Sequence, residues 1–422
     1  KPEPIPPYQG PPLAGGSTKF LGNVMASDNI FANYWNQITP GNEGKWGSIA
    51  STSDSTKWNW SGLDRIYNYA QQHQLIFKNH TLIWGAQQPS WISALDAATQ
   101  LKYIETWMRM VGKRYPHMDM IDVVNEPLVS HNPPDGVNGR ANYKEALGGN
   151  GTTGWDWVIK SFELARKYMP GQTKLILNDY GIINDNTATS IYLTIINLLK
   201  NRGLIDGIGV KGHRFELEKA STATLKSNLD RLAATGLPIY ISEFDLGNLN
   251  NEGTPDDHQQ LELYQRIFPV LWEHPGVKGI TLWGYLEGEM WQSSCHLVLK
   301  TNAWRPAMTW LADYVRRTTG NSPAWITSPG TPTLSQNYPN PVSSSTEIGF
   351  TLYKTQKVTL TIYDHLGREV TTLVNGLWSP GNHRVTWKIS DLPAGKAGNG
   401  LYFYRLVTDD IILSRKMMVL GR

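Results

Sequence analysis

With 422 residues the chain is well beyond the usual size of a single hydrophobic core, so two domains are expected. Charged residues make up 18% and the formal net charge is +3, which removes the usual electrostatic reason for binding nucleic acid or an anionic membrane. One cysteine, Cys295, excludes an internal disulfide and a Cys-type zinc site, and there is no apolar run of about 18 residues to span a bilayer.

The opening KPEPIPPYQGPP has neither an initiator Met nor a signal-like apolar stretch, so either a leader has been removed or the chain has been trimmed. Residues 1–16 are rich in Pro and Gly and read as an extended arm. From 17 to 317, short apolar runs alternate with amphipathic helical patterns. FLGNVM (20–25), LIFKNHTL (75–82), MDMIDVVN (118–125), KLILND (174–179), GIGVKGH (207–213), LPIYISEF (237–244) and VKGITLWG (277–284) read as strands buried on both faces, and a poorly patterned strand before Thr39 would make eight. Between them, Leu63, Ile66, Tyr67 and Ala70 share one helical face, as do Leu225, Leu229 and Leu232 ahead of a stop at Gly236. That alternation favours an α/β architecture of the (β/α)8 barrel type over an open doubly wound sheet, for which no GxGxxG follows the first strand.

From 318 to 335 the composition turns to Pro, Ser, Thr and Gly, a linker. Beyond it the period becomes two: EIGFTL, KVTLTIYD, HRVTWKIS, GLYFYRLVTD and LSRKMMVL alternate around turns, so 336–422 is expected to be a small all-β antiparallel sandwich.

In a (β/α) barrel the C-terminal strand ends share one mouth, where chemistry is done. Those ends carry Asn42 and Lys45, His80 and Trp84, Asn125 and Glu126, Asp179 and Tyr180, His213, Glu243, and Trp283. Glu126 and Glu243 stand out, since each directly follows an apolar strand. Two carboxyls at an aromatic mouth suit glycosidic cleavage: one protonated to help the leaving oxygen depart, the other ionised to attack or to activate water. Asp245 is spaced to orient His213, which could in turn hold Glu243. There is no HExxH and no tight His/Asp cluster, so neither a metal nor another cofactor is expected. The 17 Trp and 19 Tyr against 9 Phe suit a sugar ligand, which is itself half apolar, and also suit an ordinary large core.

Four ordered motifs, NHTLIWG (79–85), DVVNEP (122–127), ISEFDL (241–246) and TLWGYLEGEMW (281–291), resemble glycoside hydrolase family 10, the retaining endo-β-1,4-xylanases. The resemblance implies Glu126 as general acid/base, Glu243 as nucleophile, and Asn125 as the ligand of the 2-hydroxyl of the sugar under attack. It also implies that Asn42, Lys45, His80, Trp84 and His213 line the glycone side under a roof of Trp283 and Trp291, with Tyr180 and Arg305 toward the aglycone side. Two positions depart from the family pattern. Gly41 stands where an acid would bind the second glycone sugar, which implies weaker or altered recognition there, and Lys211 stands where a Gln is usual. An ammonium there, near Glu243, would lower that carboxyl's pKa. The tail, with QNYPNP near its start and GLYFYRL near its end, resembles the C-terminal sorting domain of the type IX secretion route. Xylan, the outer-membrane export machinery and a secreted or cell-surface location are the partners and place so implied. A β-glucanase or mannanase on the same barrel, or a non-catalytic polysaccharide binder, are the rival readings.

Overall fold

The computed structural model describes residues 7–27, 30–248, 254–318, 332–391, 399–409 and 411–420. Most of the expected linker lies outside them. Two compact units divide the chain: Gly10–Leu297 with Trp310–Asn321, and Lys1–Gln9 with Val298–Thr309 and Ser322–Arg422.

The first unit is a closed barrel of eight parallel strands, β1 (Phe20–Val24), β2 (Gln37–Thr39), β3 (Ile76–Ile83), β4 (Met120–Asn125), β5 (Lys174–Asp179), β6 (Gly207–Gly212), β7 (Ile239–Phe244) and β8 (Val277–Leu282), with β8 pairing back onto β1. The weakly patterned eighth strand is β2. It is polar because its side chains point into the barrel and find partners there: Gln37 Nε2 donates to Thr39 Oγ1 at 2.8 Å, and Thr281 Oγ1 donates to Gln37 Oε1 at 2.8 Å. Buried polar groups paired in this way are tolerated where a hydrophobic count would miss the strand. Toward the N-terminal end, Phe20, Met120, Ile176 and Tyr240 fill the interior, Phe20 stacking on Tyr240 at 5.8 Å. Phe20 fits because Gly279 leaves room; a Cβ there would lie 2.3 Å from the Phe20 ring.

The helices bury the faces expected of them. Ser61–Gln72 buries Leu63, Ile66, Tyr67 and Ala70, and Thr222–Ala233 buries Leu225, Leu229 and Leu232. Ser221 caps the second, its hydroxyl accepting from Thr224 N. The described part of the Pro/Gly-rich start is less extended than its composition suggests. Leu13 and Ala14 are fully buried, and Leu13 N donates to Tyr34 O.

The tail forms two antiparallel sheets. One orders β13 (Gly381–Lys388), β10 (Ser345–Leu352) and β9 (Thr333–Leu334); the other orders β12 (Glu369–Trp378), β11 (Gln356–Tyr363), β14 (Gly400–Thr408) and β15 (Ile412–Val419). Their inner faces share a core that includes Ile348, Phe350, Leu360, Trp387, Tyr404 and Met417. Sequence reasoning missed β12. Its Asn375-Gly376 pair reads as a hairpin turn, yet here it continues the strand, pairing with Thr359 and Val358 beside an irregularity in the register.

The tryptophans divide between core and cleft. Trp107 is fully buried and stacks on Trp46 at 5.8 Å and on Trp60 at 5.7 Å, so much of the aromatic excess is packing. Trp107→Ala should lower the unfolding free energy by about 3–5 kcal/mol, read by denaturant titration. A loss below about 1 kcal/mol would show that the stack is not structural.

Candidate active site

The C-terminal strand ends enclose a cleft of about 530 Å³ lined by Asn42, Lys45, His80, Trp84, Glu126, Tyr180, Lys211, His213, Glu243, Trp283 and Trp291, together with Gly41, Glu43, Gln87, Asn132, Phe215 and others. Glu126 lies one residue past β4, and Pro127 prevents the strand from going on. Its backbone sits at φ 56°, the left-handed region that a non-glycine residue adopts at a cost of about 1–3 kcal/mol. Neighbouring bonds hold it there. Glu126 N donates to Asn178 O at 2.8 Å, Leu128 N donates to Asp179 Oδ2 at 3.1 Å, and His131 Nδ1 meets Asp179 Oδ1 at 2.6 Å. Glu243 lies within β7, one residue before its end and inside the run read as LPIYISEF (237–244), and not past its strand as Glu126 does.

The two carboxylates meet over one nitrogen. Lys211, on β6, places Nζ 2.6 Å from Glu126 Oε1 and 3.0 Å from Glu243 Oε1. Burial works to keep both acids protonated, but the Lys211 ammonium outweighs it; Glu126 falls below its usual value and Glu243 well below. Lys211 is in turn raised by the same two charges against its own burial. Glu126 Oε2 also accepts from Trp84 Nε1 at 2.9 Å.

Behind Glu243 runs a short relay. His213 Nε2 lies 3.0 Å from Glu243 Oε2, and His213 Nδ1 lies 2.7 Å from Asp245 Oδ2. Trp291 Nε1 donates to that same Asp245 oxygen at 2.9 Å. Asn178 Nδ2 reaches both Glu243 Oε1 at 3.1 Å and Asn125 Oδ1 at 3.0 Å. Its side chain needs the absence of one at Gly209, where a Cβ would lie 2.6 Å from Asn178 Oδ1. His80 pairs with Asp122 at 2.8 Å, and burial lowers its pKa, which favours the neutral ring. Lys45 Nζ donates to Asn42 Oδ1 at 2.8 Å and Gln87 Oε1 at 2.7 Å and lies 5.3 Å from the Trp84 ring centroid; burial pushes it down to about 8.

The cleft thus gathers most residues singled out in the sequence. Asn125 and Asp245 are buried just behind the lining, and Arg305 is buried without lining it. At Gly41 an added Cβ would meet only Glu43 Oε2, 4.0 Å away, so that end of the cleft has open space bordered by an acid two residues along. Sequence reasoning passed over Phe215, which is 52% exposed in the cleft, and His131, which stacks on Tyr180 at 3.7 Å. It also passed over Glu216, which accepts from His213 N at 2.9 Å and from Gly181 N. The three-residue spacing of His213 and Glu216 is a capping-box signal that could have found the last of these.

A closed parallel barrel with two facing carboxylates in an aromatic, sugar-sized cleft defines the glycoside hydrolase class. Residues 13–314 match the model of Glycosyl hydrolase family 10, well over half of the chain, and the chain belongs to that family. An endo-1,4-beta-xylanase B of Cellvibrio japonicus is 42% identical over 298 residues, 69% of this chain; the chain spans 45% of that relative's length. An endo-1,4-beta-xylanase B of Thermotoga neapolitana is 29% identical over 262 residues, 61% of this chain and 72% of the relative. The native xylanase 10B of Thermotoga maritima shares the fold with a TM-score of 0.63 at 23% identity, over 74% of this chain and 98% of that one. Residues 336–420 match the secretion system C-terminal sorting domain, which marks the protein as secreted or displayed at the cell surface. Among the described residues no helix is long and apolar enough to cross a membrane.

Burial would strip the proton from His213, but Asp245 and then Glu243 outweigh it and push the imidazole up to about 10. A folded value above the ordinary 6.5 means that this charge stabilises the fold fully below about pH 6.5 and ceases to do so as pH rises through about 10. In Asp245→Asn the imidazole should titrate more than about one unit lower, followed by nitrogen-15 NMR. An unchanged titration would mean that Asp245 does not hold the charge.

Proposed function

We propose that this chain is a secreted retaining endo-1,4-β-xylanase, with Glu126 as proton donor and acceptor and Glu243 as nucleophile. One observation carries the mechanism. Carboxylate oxygens that share a nitrogen at 2.6 and 3.0 Å cannot be farther apart than those two lengths end to end. That is short of the about 6.5 Å minimum an inverting pair needs to admit its water, and it suits the about 5–5.5 Å of a retaining pair.

The reaction then has two displacements. In the first, a Glu243 oxygen bonds to the anomeric carbon as the bond from that carbon to the bridging oxygen breaks, and the departing oxygen takes the proton of Glu126. In the second, water attacks the same carbon and yields a proton to Glu126, and the ester bond breaks with its electron pair returning to Glu243. Asn125, aligned by Asn178, binds the neighbouring 2-hydroxyl; His213 and Asp245 hold Glu243 in its attacking orientation. Trp84, Trp283 and Trp291 offer apolar faces to sugar rings, while Asn42, Lys45 and His80 bind hydroxyls on the glycone side. Tyr180 faces the aglycone. Xylan as substrate rests on family membership and on the names of the relatives. The C-terminal unit engages the outer-membrane export machinery.

Product analysis on xylan, glucan and mannan tests this reading. Internal cleavage of xylan with retained anomeric configuration, read by proton NMR of the first-formed products, is the expected result. Glu126→Ala should still be glycosylated by aryl xylosides whose leaving group needs no proton, whereas Glu243→Ala should lose both activities by more than about 10⁴-fold. Inverted products would overturn the assignment of Glu243, and preferred cleavage of glucan or mannan would overturn the substrate.

A further inference from the structure

Lys211 has no part in either displacement as just described, yet it is the residue in closest contact with both acids. It is buried on β6, and its single Nζ hydrogen-bonds Glu126 and lies 3.0 Å from Glu243. A lone ammonium at that depth is costly, and so are two like charges beside each other; one bridging cation offsets both. The other titratable groups facing this cluster are Lys45 after β2, His80 on β3, Asp179 and Tyr180 at the end of β5, and His213 and Glu216 after β6. None of them reaches both acids. Lys45 is held by Asn42 and Gln87, His80 by Asp122, and His213 lies on the far oxygen of Glu243.

We propose that Lys211 is a shared counter-ion that pairs with whichever of the two carboxylates is ionised in each half of the reaction. The proposal rests on the roles given above to Glu126 and Glu243. During the first displacement Glu126 carries the proton and Lys211 faces one anion, Glu243. Once Glu243 is esterified, Glu126 is the anion and the same ammonium, already within 2.6 Å, serves it. Each stage keeps one positive and one negative charge over the two acids, and the buried ammonium is never left alone. Lys211 is a positioning residue in this scheme, acting through the acids and not on the sugar. The same contact favours the unprotonated form of the proton donor, so the chain works best where solution pH helps to load that proton.

Removing the ammonium raises both carboxyl pKa values, so in Lys211→Gln both limbs of the kcat/KM profile should move to higher pH by about one to three units. Carbon-13 titration of labelled Glu side chains supplies a second reading that needs no substrate. In the native chain the Glu126 carboxyl should titrate below the ordinary carboxylate range, and in Lys211→Gln it should rise by a similar amount. Unmoved limbs or unmoved resonances in a folded variant would overturn the proposal. Should that variant fail to fold, the native titration decides alone, and a Glu126 value at or above the ordinary range refutes it. Because the titration is blind to substrate, a chain that fails to cleave xylan leaves this test intact.

Discussion

Two carboxylates buried at one point of a barrel mouth repel each other and forgo their hydration, and the rest of the site is arranged around that cost. Lys211 lies across the pair, His213 backs Glu243, and Asp245 backs His213. Asn178 and Trp84 add neutral donors, one to each acid. The backbone is drawn in as well. Glu126 can stand in a left-handed conformation because its own N–H and the loop after it are tied to β5. The closed sheet is what makes this affordable, since every strand end around the ring delivers a side chain to the same small volume.

Much of the fold was legible before any coordinates, because seven of the eight strands are continuous apolar runs and the helical faces follow their period. The strand that was hardest to see, β2, is polar for a physical reason: it turns Gln37 and Thr39 into a barrel whose other residues can satisfy them. In the tail, β12 carries Asn375-Gly376, a strong turn signal locally, and pairing with β11 overrides it. Local chemistry decides such segments only when no neighbouring strand competes.

The site was legible as a set of strand-end residues and not as a set of contacts. Glu126 and Glu243 could be placed at one mouth from topology, as could His213 between Glu243 and Asp245. That Lys211 touches both acids depends on how far a four-carbon side chain reaches from β6, which no linear pattern encodes. Asn178 was hidden for a similar reason. Its partners come from β4 and β7, and its room comes from a glycine on β6. The aromatic excess serves both of the uses its composition allowed: Trp84, Trp283 and Trp291 face the cleft, while Trp46, Trp60 and Trp107 pack on one another.

Trp291 is half exposed and has its indole nitrogen on Asp245, the residue that also holds His213. The exposed indole of the groove and the imidazole that backs Glu243 therefore share one carboxylate oxygen. Replacing that indole would remove a donor from Asp245, so an alteration at the exposed edge of the groove is passed inward through Asp245 and His213 to Glu243.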